Sequence, residues 1–196
     1  MTSRFLTSLF AILTLGALSA CAPLITQSPG GALSPVNAIS EGEDKHLILF
    51  GHDVVAYFTE GKHRLGSAQY KSKVGDVTFR FASAENKALF DKDSAKYTPQ
   101  FGGFCANGTV YGIPWGGDAD TWSIIEGKLY IFGGKASKDA FMVNPAKNIE
   151  LANQYWINQI AGSNAFFQRS KRMISKVPHY KSGDQLAAEV AAAAKK

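Results

Sequence analysis

The residues of this chain whose types could do chemistry are few. Cys21 and Cys105 are its two cysteines among 196 residues. A thiol can accept a lipid, ligate a soft metal, or sit buried as a small hydrophobe. His52 and Asp53 are neighbours, and an imidazole and a carboxylate brought to a distant thiolate would suit zinc or copper. In Trp115-Gly116-Gly117-Asp118, paired glycines permit a loop, the indole offers stacking and the carboxylate offers charge. Trp115 and Asp118 are therefore candidate rim residues for a small ligand. Each candidate also has a plainer alternative: an inert buried thiol at Cys105, a hydrogen-bonded ring at His52, a structural turn at Trp115.

The surroundings of Cys21 give it a different task from Cys105. Phe5 to Leu18 is an apolar run after Arg4 that ends in small residues, which is the anatomy of a signal peptide. At about fourteen residues the run is short of the roughly twenty needed to cross a bilayer core. Leu18-Ser19-Ala20-Cys21 resembles the lipobox, in which small residues admit the segment to a peptidase and the thiol accepts diacylglycerol. The expectation is cleavage before Cys21 and acylation there, with stable anchoring because several acyl chains act together. Ala22 is not the aspartate that retains enterobacterial lipoproteins at the inner membrane. A periplasm-facing protein of the cell envelope, attached to the outer membrane by its lipid, is expected.

Composition narrows the remaining possibilities. With Cys21 spent on lipid, Cys105 has no disulfide partner within the chain, so packing must hold the fold. The formal net charge is +5. Its basic excess gathers late, in Arg169, Lys171, Arg172, Lys176 and Lys181. An exported protein has no access to nucleic acid, so this cluster reads either as a solvated C-terminal segment or as a contact for anionic lipid headgroups. No nucleophile elbow, phosphate-cradling loop or His-Glu-x-x-His is present. The carboxylates Glu41 and Glu43 fall where nothing would raise a pKa. A non-enzymatic protein is expected.

The elements that must position these residues can be read from periodicity. Residues 21–44 carry Pro, Gly and Ser without sustained periodicity and read as a flexible tether. Leu47 to Phe50 is a short apolar run, and Asp53 to Phe58 suits a helical turn capped by Asp53. Around Gly75-Asp76, Tyr70, Val74, Val77, Phe79 and Phe81 alternate with polar residues, as in a β-hairpin. Ser83 opens a helix whose Leu89 and Phe90 would face that hairpin. Thr121–Ile125 and Lys128–Phe132 pair through Glu126-Gly127. From Lys138 to Ile160 the pattern is helical with a break at Asn144-Pro145, and the alanine-rich end from Leu186 could form a solvated helix. The fold class is α+β: a small antiparallel sheet of hairpins against several short helices and a C-terminal helix. Residues 45–162 form the domain, preceded by the signal peptide (1–20) and the tether, and followed by a basic, alanine-rich extension (163–196).

The domain resembles the YHS-domain family, in its exported branch. The resemblance rests on Gly51-His52-Asp53-Val54-Val55-Ala56-Tyr57-Phe58, Gly66-Ser67, Phe79 to Asn86, Tyr97-Thr98-Pro99-Gln100-Phe101-Gly102-Gly103-Phe104-Cys105-Ala106, Trp122 and Gly127-Lys128-Leu129-Tyr130. Short members of that family accompany copper pumps and mercury-resistance proteins, so the resemblance implies a metal-related binding module, with copper or zinc as cofactor. The cysteines of those members correspond here to Ala56, Ala82 and Asn86, which leaves Cys105 as the expected ligand, with His52 and Asp53 as helpers. A structural lipoprotein, or a binder of a small ligand without metal, is the alternative.

Overall fold

The computed structural model describes residues 34–195. The signal peptide, Cys21 and the first part of the tether lie outside the described residues. The fold is α+β. Strands β1 (Ala38–Glu41), β2 (Asp44–Ile48), β3 (Ser67–Val74) and β4 (Val77–Phe81) form a sheet in the order β1-β2-β4-β3, and β5 (Asp118–Ile125) and β6 (Lys128–Phe132) form a separate hairpin. The helices are α1 (Ala56–Thr59), α2 (Ala84–Lys92), α3 (Ser94–Tyr97), α4 (Ala106–Val110), α5 (Lys135–Met142), α6 (Pro145–Tyr155), α7 (Ala165–Ile174) and α8 (Gly183–Ala193). None of the described helices is long and apolar enough to cross a membrane.

Both hairpins follow the alternation that predicts them. Val74 pairs with Val77 across Gly75-Asp76, and Ile125 with Lys128 across Glu126-Gly127. The Ser83 side chain accepts from the Asn86 N–H and caps α2, as expected of a serine before good helix formers. Phe90 of α2 packs on Phe79 and Phe81, with ring centroids 4.6 and 5.0 Å away. Leu89, expected to share that contact, is largely exposed. The break between α5 and α6 falls at Asn144, whose side chain accepts from the Lys147 N–H, with Pro145 in the first turn, where its missing N–H costs nothing.

Strand β6 lies between two apolar clusters, and its period of two divides its side chains between them. Leu129 and Ile131 join Val36, Ile48, Tyr57, Phe79 and Phe81; Tyr130 and Phe132 join Phe101, Val110, Phe141 and Val177. Buried on both faces, β6 reads as a continuous apolar run for that reason.

Three features depart from expectation. The folded chain begins well before residue 45: β1 pairs antiparallel with β2, Val36 and Ala38 are buried, and the buried Asn37 amide donates to the carbonyls of Gly103 and Gly117 at 3.1 and 2.8 Å. Glu41 is accordingly not in a tether; it accepts from Arg80, which also binds Asp44. Second, β2 runs parallel to β4, with Leu47 opposite Thr78, so the sheet is mixed. Third, the C-terminal segment is not a solvated tail. Gln168 donates to the Gly112 carbonyl at 3.0 Å and Arg169 to the Pro114 carbonyl at 2.7 Å, and Val177 enters the second cluster. Among the described helices, only α8 contains no buried residue.

Candidate functional site

Cys105 caps the short helix α4. Its Sγ accepts the Gly108 N–H at 3.4 Å and lies 3.0 Å from the Ser137 hydroxyl on α5, while its own N–H donates to the Trp115 carbonyl at 2.8 Å. The tight path that brings Trp115 back to Cys105 depends on Gly108, where a Cβ would meet the Ile113 carbonyl oxygen at 2.7 Å and the Trp115 ring at 3.0 Å; just upstream, Gly102 leaves room for the Pro35 segment. Gly102 has φ +59°, and a Cβ there would meet the Pro35 carbonyl oxygen at 2.3 Å.

Beside Cys105 lies an open-sided cavity of about 460 Å³. The domain contributes Cys105, Asn107, Tyr111, Trp115 and Ser137 to its lining, and the C-terminal segment contributes Arg172, Met173, Lys176, Tyr180, Lys181 and Leu186. Three lining side chains are therefore cations, and none is a carboxylate. Arg172 is held by the Ser175 carbonyl and by Gln159 and lies over the Tyr155 ring, yet its Nε is buried without a hydrogen-bond partner. Lys176 sits 4.3 Å from the Tyr180 ring centroid, and Lys181 is 2.6 Å from Glu189. Burial, reinforced by Glu189 and Tyr180, pushes the Tyr111 hydroxyl above its ordinary pKa. The volume suits a small organic molecule, and the aromatic walls with a few polar groups are what such sites require.

The residues singled out in the sequence are thus distributed unevenly. Cys105 and Trp115 line one cavity. Asp118 begins β5, is exposed, and is not among the lining residues. His52 is half-buried with Nδ1 2.9 Å from the Leu49 carbonyl, and its ring lies 6.0 Å from that of His63. Asp53 is fully buried, and its carboxylate accepts from Val55, Ala56 and Ala82 N–H groups and from the Asn86 amide, at 2.7–3.3 Å. Ser137 and the cations of the C-terminal segment were not anticipated as site residues. The basic cluster was visible in the sequence, but nothing there placed it against Cys105.

The donor set for copper or zinc does not come together. Among the described residues no three His, Cys, Asp or Glu side chains gather closely enough to hold a metal ion. Asp53 spends its oxygens on four donors within the protein, and Cys105 shares its cavity with Arg172 and Lys176, which disfavour a further positive charge. Compared with known proteins, the chain matches no family model, no curated protein and no solved structure.

Proposed function

We propose that this chain is a non-enzymatic binding module tethered to the cell envelope by lipid at Cys21, and that its cavity beside Cys105 takes a small anionic ligand with an aromatic or apolar body. The tether rests on Leu18-Ser19-Ala20-Cys21 and the apolar run before it. The order of motifs from Gly51 to Tyr130 supports placing the chain beside the YHS-domain family. The observation that carries the ligand class is the lining itself: Arg172 and Lys176, joined by a Lys181 that is paired with Glu189, with no carboxylate in the lining, beside Trp115, Tyr111 and Tyr180. Clefts lined by one sign of charge raise the local concentration of the opposite sign.

Cys105 is a built-in reporter of that field. In the full chain, its alkylation by anionic iodoacetate and neutral iodoacetamide can be followed at the peptide level by mass spectrometry. A cation roughly 8 Å from an anion contributes about 0.5–1 kcal/mol at high effective dielectric, which is about two- to fivefold in rate. The iodoacetate-to-iodoacetamide ratio at Cys105 is therefore expected to exceed that of the urea-unfolded chain by about this factor or more, and to fall in Lys176→Glu. Benzoate should protect Cys105 from iodoacetamide. A ratio equal in folded and unfolded chain, with no protection by benzoate, would reject the anion-binding reading.

A further inference from the structure

Helix α7 is inside out. At 100° per residue, Gln168, Arg172, Ala165 and Arg169 fall on one side and Met173, Phe166, Ser170, Ile174 and Phe167 on the other. In an ordinary surface helix the apolar side packs inward. Here the buried positions include Gln168 and Arg172, while Phe166, Phe167, Met173 and Ile174 are 45, 69, 71 and 90 % exposed. Two of the inward polar groups bond to the domain, Gln168 through the Gly112 carbonyl and Arg169 through the Pro114 carbonyl together with the faces of Phe104 and Trp115, while Arg172 is held by Ser175 and Gln159. The one polar residue within the outward stripe, Ser170, turns its hydroxyl back to the Phe166 carbonyl at 3.0 Å. The orientation of the helix is thus fixed by hydrogen bonds that hold its apolar side outward.

Charge identifies what covers that side. Lys171 borders the stripe and is exposed, and Lys176 follows just beyond the helix. From Leu151 to Gly183 there is no acidic residue, while Arg169, Lys171, Arg172, Lys176 and Lys181 all fall in that stretch. An apolar stripe edged by lysine is the pattern of a helix that lies in a membrane interface, apolar face among the acyl chains and cations among anionic headgroups. We infer that α7 docks flat on an anionic bilayer surface through Phe166, Phe167, Met173 and Ile174, giving the folded domain a second membrane contact independent of lipid at Cys21. Met173 belongs both to the stripe and to the cavity lining. Docking therefore brings the cavity close to the headgroups.

The chain carries its own probe and control. Of its three methionines, Met173 lies in the stripe and Met142, 43 % exposed, ends α5 outside it. The full chain is reconstituted in vesicles of phosphatidylcholine, or of phosphatidylcholine mixed with phosphatidylglycerol. A membrane-impermeant oxidant is added, and sulfoxide formation is read separately at the two residues. The ratio is internal to each molecule and does not depend on how the N-terminus is attached. Phosphatidylglycerol is expected to slow Met173 relative to Met142 by about tenfold, an effect weakened by high salt, by Lys171→Glu, and by Phe167→Ser with Ile174→Ser. These substitutions lie on the exposed side and leave the inward hydrogen bonds intact. A ratio that phosphatidylglycerol does not change overturns the inference. So does protection of Met173 that arises without vesicles and grows with protein concentration, because it would put a second protein copy on the stripe.

Discussion

Replacing Asp53 by asparagine distinguishes a carboxylate that holds the fold from one that waits for a ligand. The carboxylate accepts four hydrogen bonds, two per oxygen. Oδ1 takes the Val55 and Ala56 N–H groups at 2.8 and 3.3 Å, and Oδ2 takes the Ala82 N–H at 2.8 Å and the Asn86 amide at 2.7 Å. These tie the start of α1 to the junction between β4 and α2. An asparagine has the same shape but only one accepting oxygen. If its NH2 faces Val55 and Ala56, two backbone donors lose their acceptor. If it faces Ala82 and Asn86, the Asn86 amide can rotate and present its oxygen, and only the Ala82 N–H is orphaned. The second arrangement is the cheaper. One buried orphan costs about 1–3 kcal/mol, and loss of charge-assisted bonds adds about 1 kcal/mol, so Asp53→Asn should destabilise by about 2–4 kcal/mol. In a domain of this size that is roughly 5–15 °C in Tm. The assay is thermal unfolding of the full chain followed by circular dichroism, in chelator. An unchanged Tm, together with a weakened affinity for zinc or copper, would refute this account and restore Asp53 as a metal ligand.

Two further perturbations test the frame around the cavity. Burial raises the Asp44 carboxyl, but hydrogen bonds from Lys71 and Arg80 outweigh that and hold it below its ordinary range. A depressed carboxyl stabilises the fold above its unfolded value, about 3.9, and the contribution is lost as pH falls through the lower folded value. Urea titrations should therefore show wild type weakening below about pH 4, with Asp44→Asn weaker at neutral pH and less affected by acid. At Gly102, alanine would hold a Cβ 2.3 Å from the Pro35 carbonyl oxygen at φ +59°. A loss of about 2–4 kcal/mol in the unfolding free energy from urea titration is expected, and a loss below about 1 kcal/mol would mean that the Pro35 segment yields easily.

Local signals were legible wherever local physics decides. The hairpins at Gly75-Asp76 and Glu126-Gly127, the Ser83 cap and the break at Asn144-Pro145 each depend on residues a few positions apart, and each was readable in the sequence. What escaped depends on pairing across distance. Val36, Asn37 and Ala38 sit among prolines and glycines and show no periodicity, because their order comes from β2 and from the Gly103 and Gly117 carbonyls. The parallel alignment of β2 with β4 has no marker in a five-residue strand of which only Leu47 and Ile48 are apolar. Helix α7 defeats a hydropathy reading altogether, since its periodicity is strong but its phase is reversed: a sequence shows that one side is apolar, not which side faces in. In the candidate site, Cys105 and Trp115 were identifiable by type. Ser137 carries no signal of its own, and the cations came from a segment that reads either as solvated or as a contact for anionic headgroups, neither of which places it against Cys105.

The residues that carry the family resemblance are largely occupied in holding the chain together. Asp53 ties α1 to the β4–α2 junction, a Cβ at Gly66 would strike the Arg80 backbone at 2.5 Å, and Gly102 makes room for Pro35. Tyr57 donates its hydroxyl to the Ala119 carbonyl at 2.7 Å, and burial raises its pKa so that it stays a donor. Side chains committed in this way are poor ligands. Groups facing open space lie instead where Cys105, Ser137 and Trp115 meet the C-terminal segment, most of which falls outside the resemblance. That segment turns Gln168 and Arg169 toward domain carbonyls and rings, lines the cavity with Arg172, Lys176 and Lys181, and leaves Phe167 and Ile174 outward. The polar inner side of α7 and its apolar outer side thus have one origin. The inward side is committed to domain carbonyls through Gln168 and Arg169, so the apolar side faces outward, where the proposed bilayer contact would receive it. Under the proposed anion binding, the cations that would select the ligand belong to residues 163–186, while the domain supplies Cys105, Tyr111, Trp115 and Ser137 to the same lining.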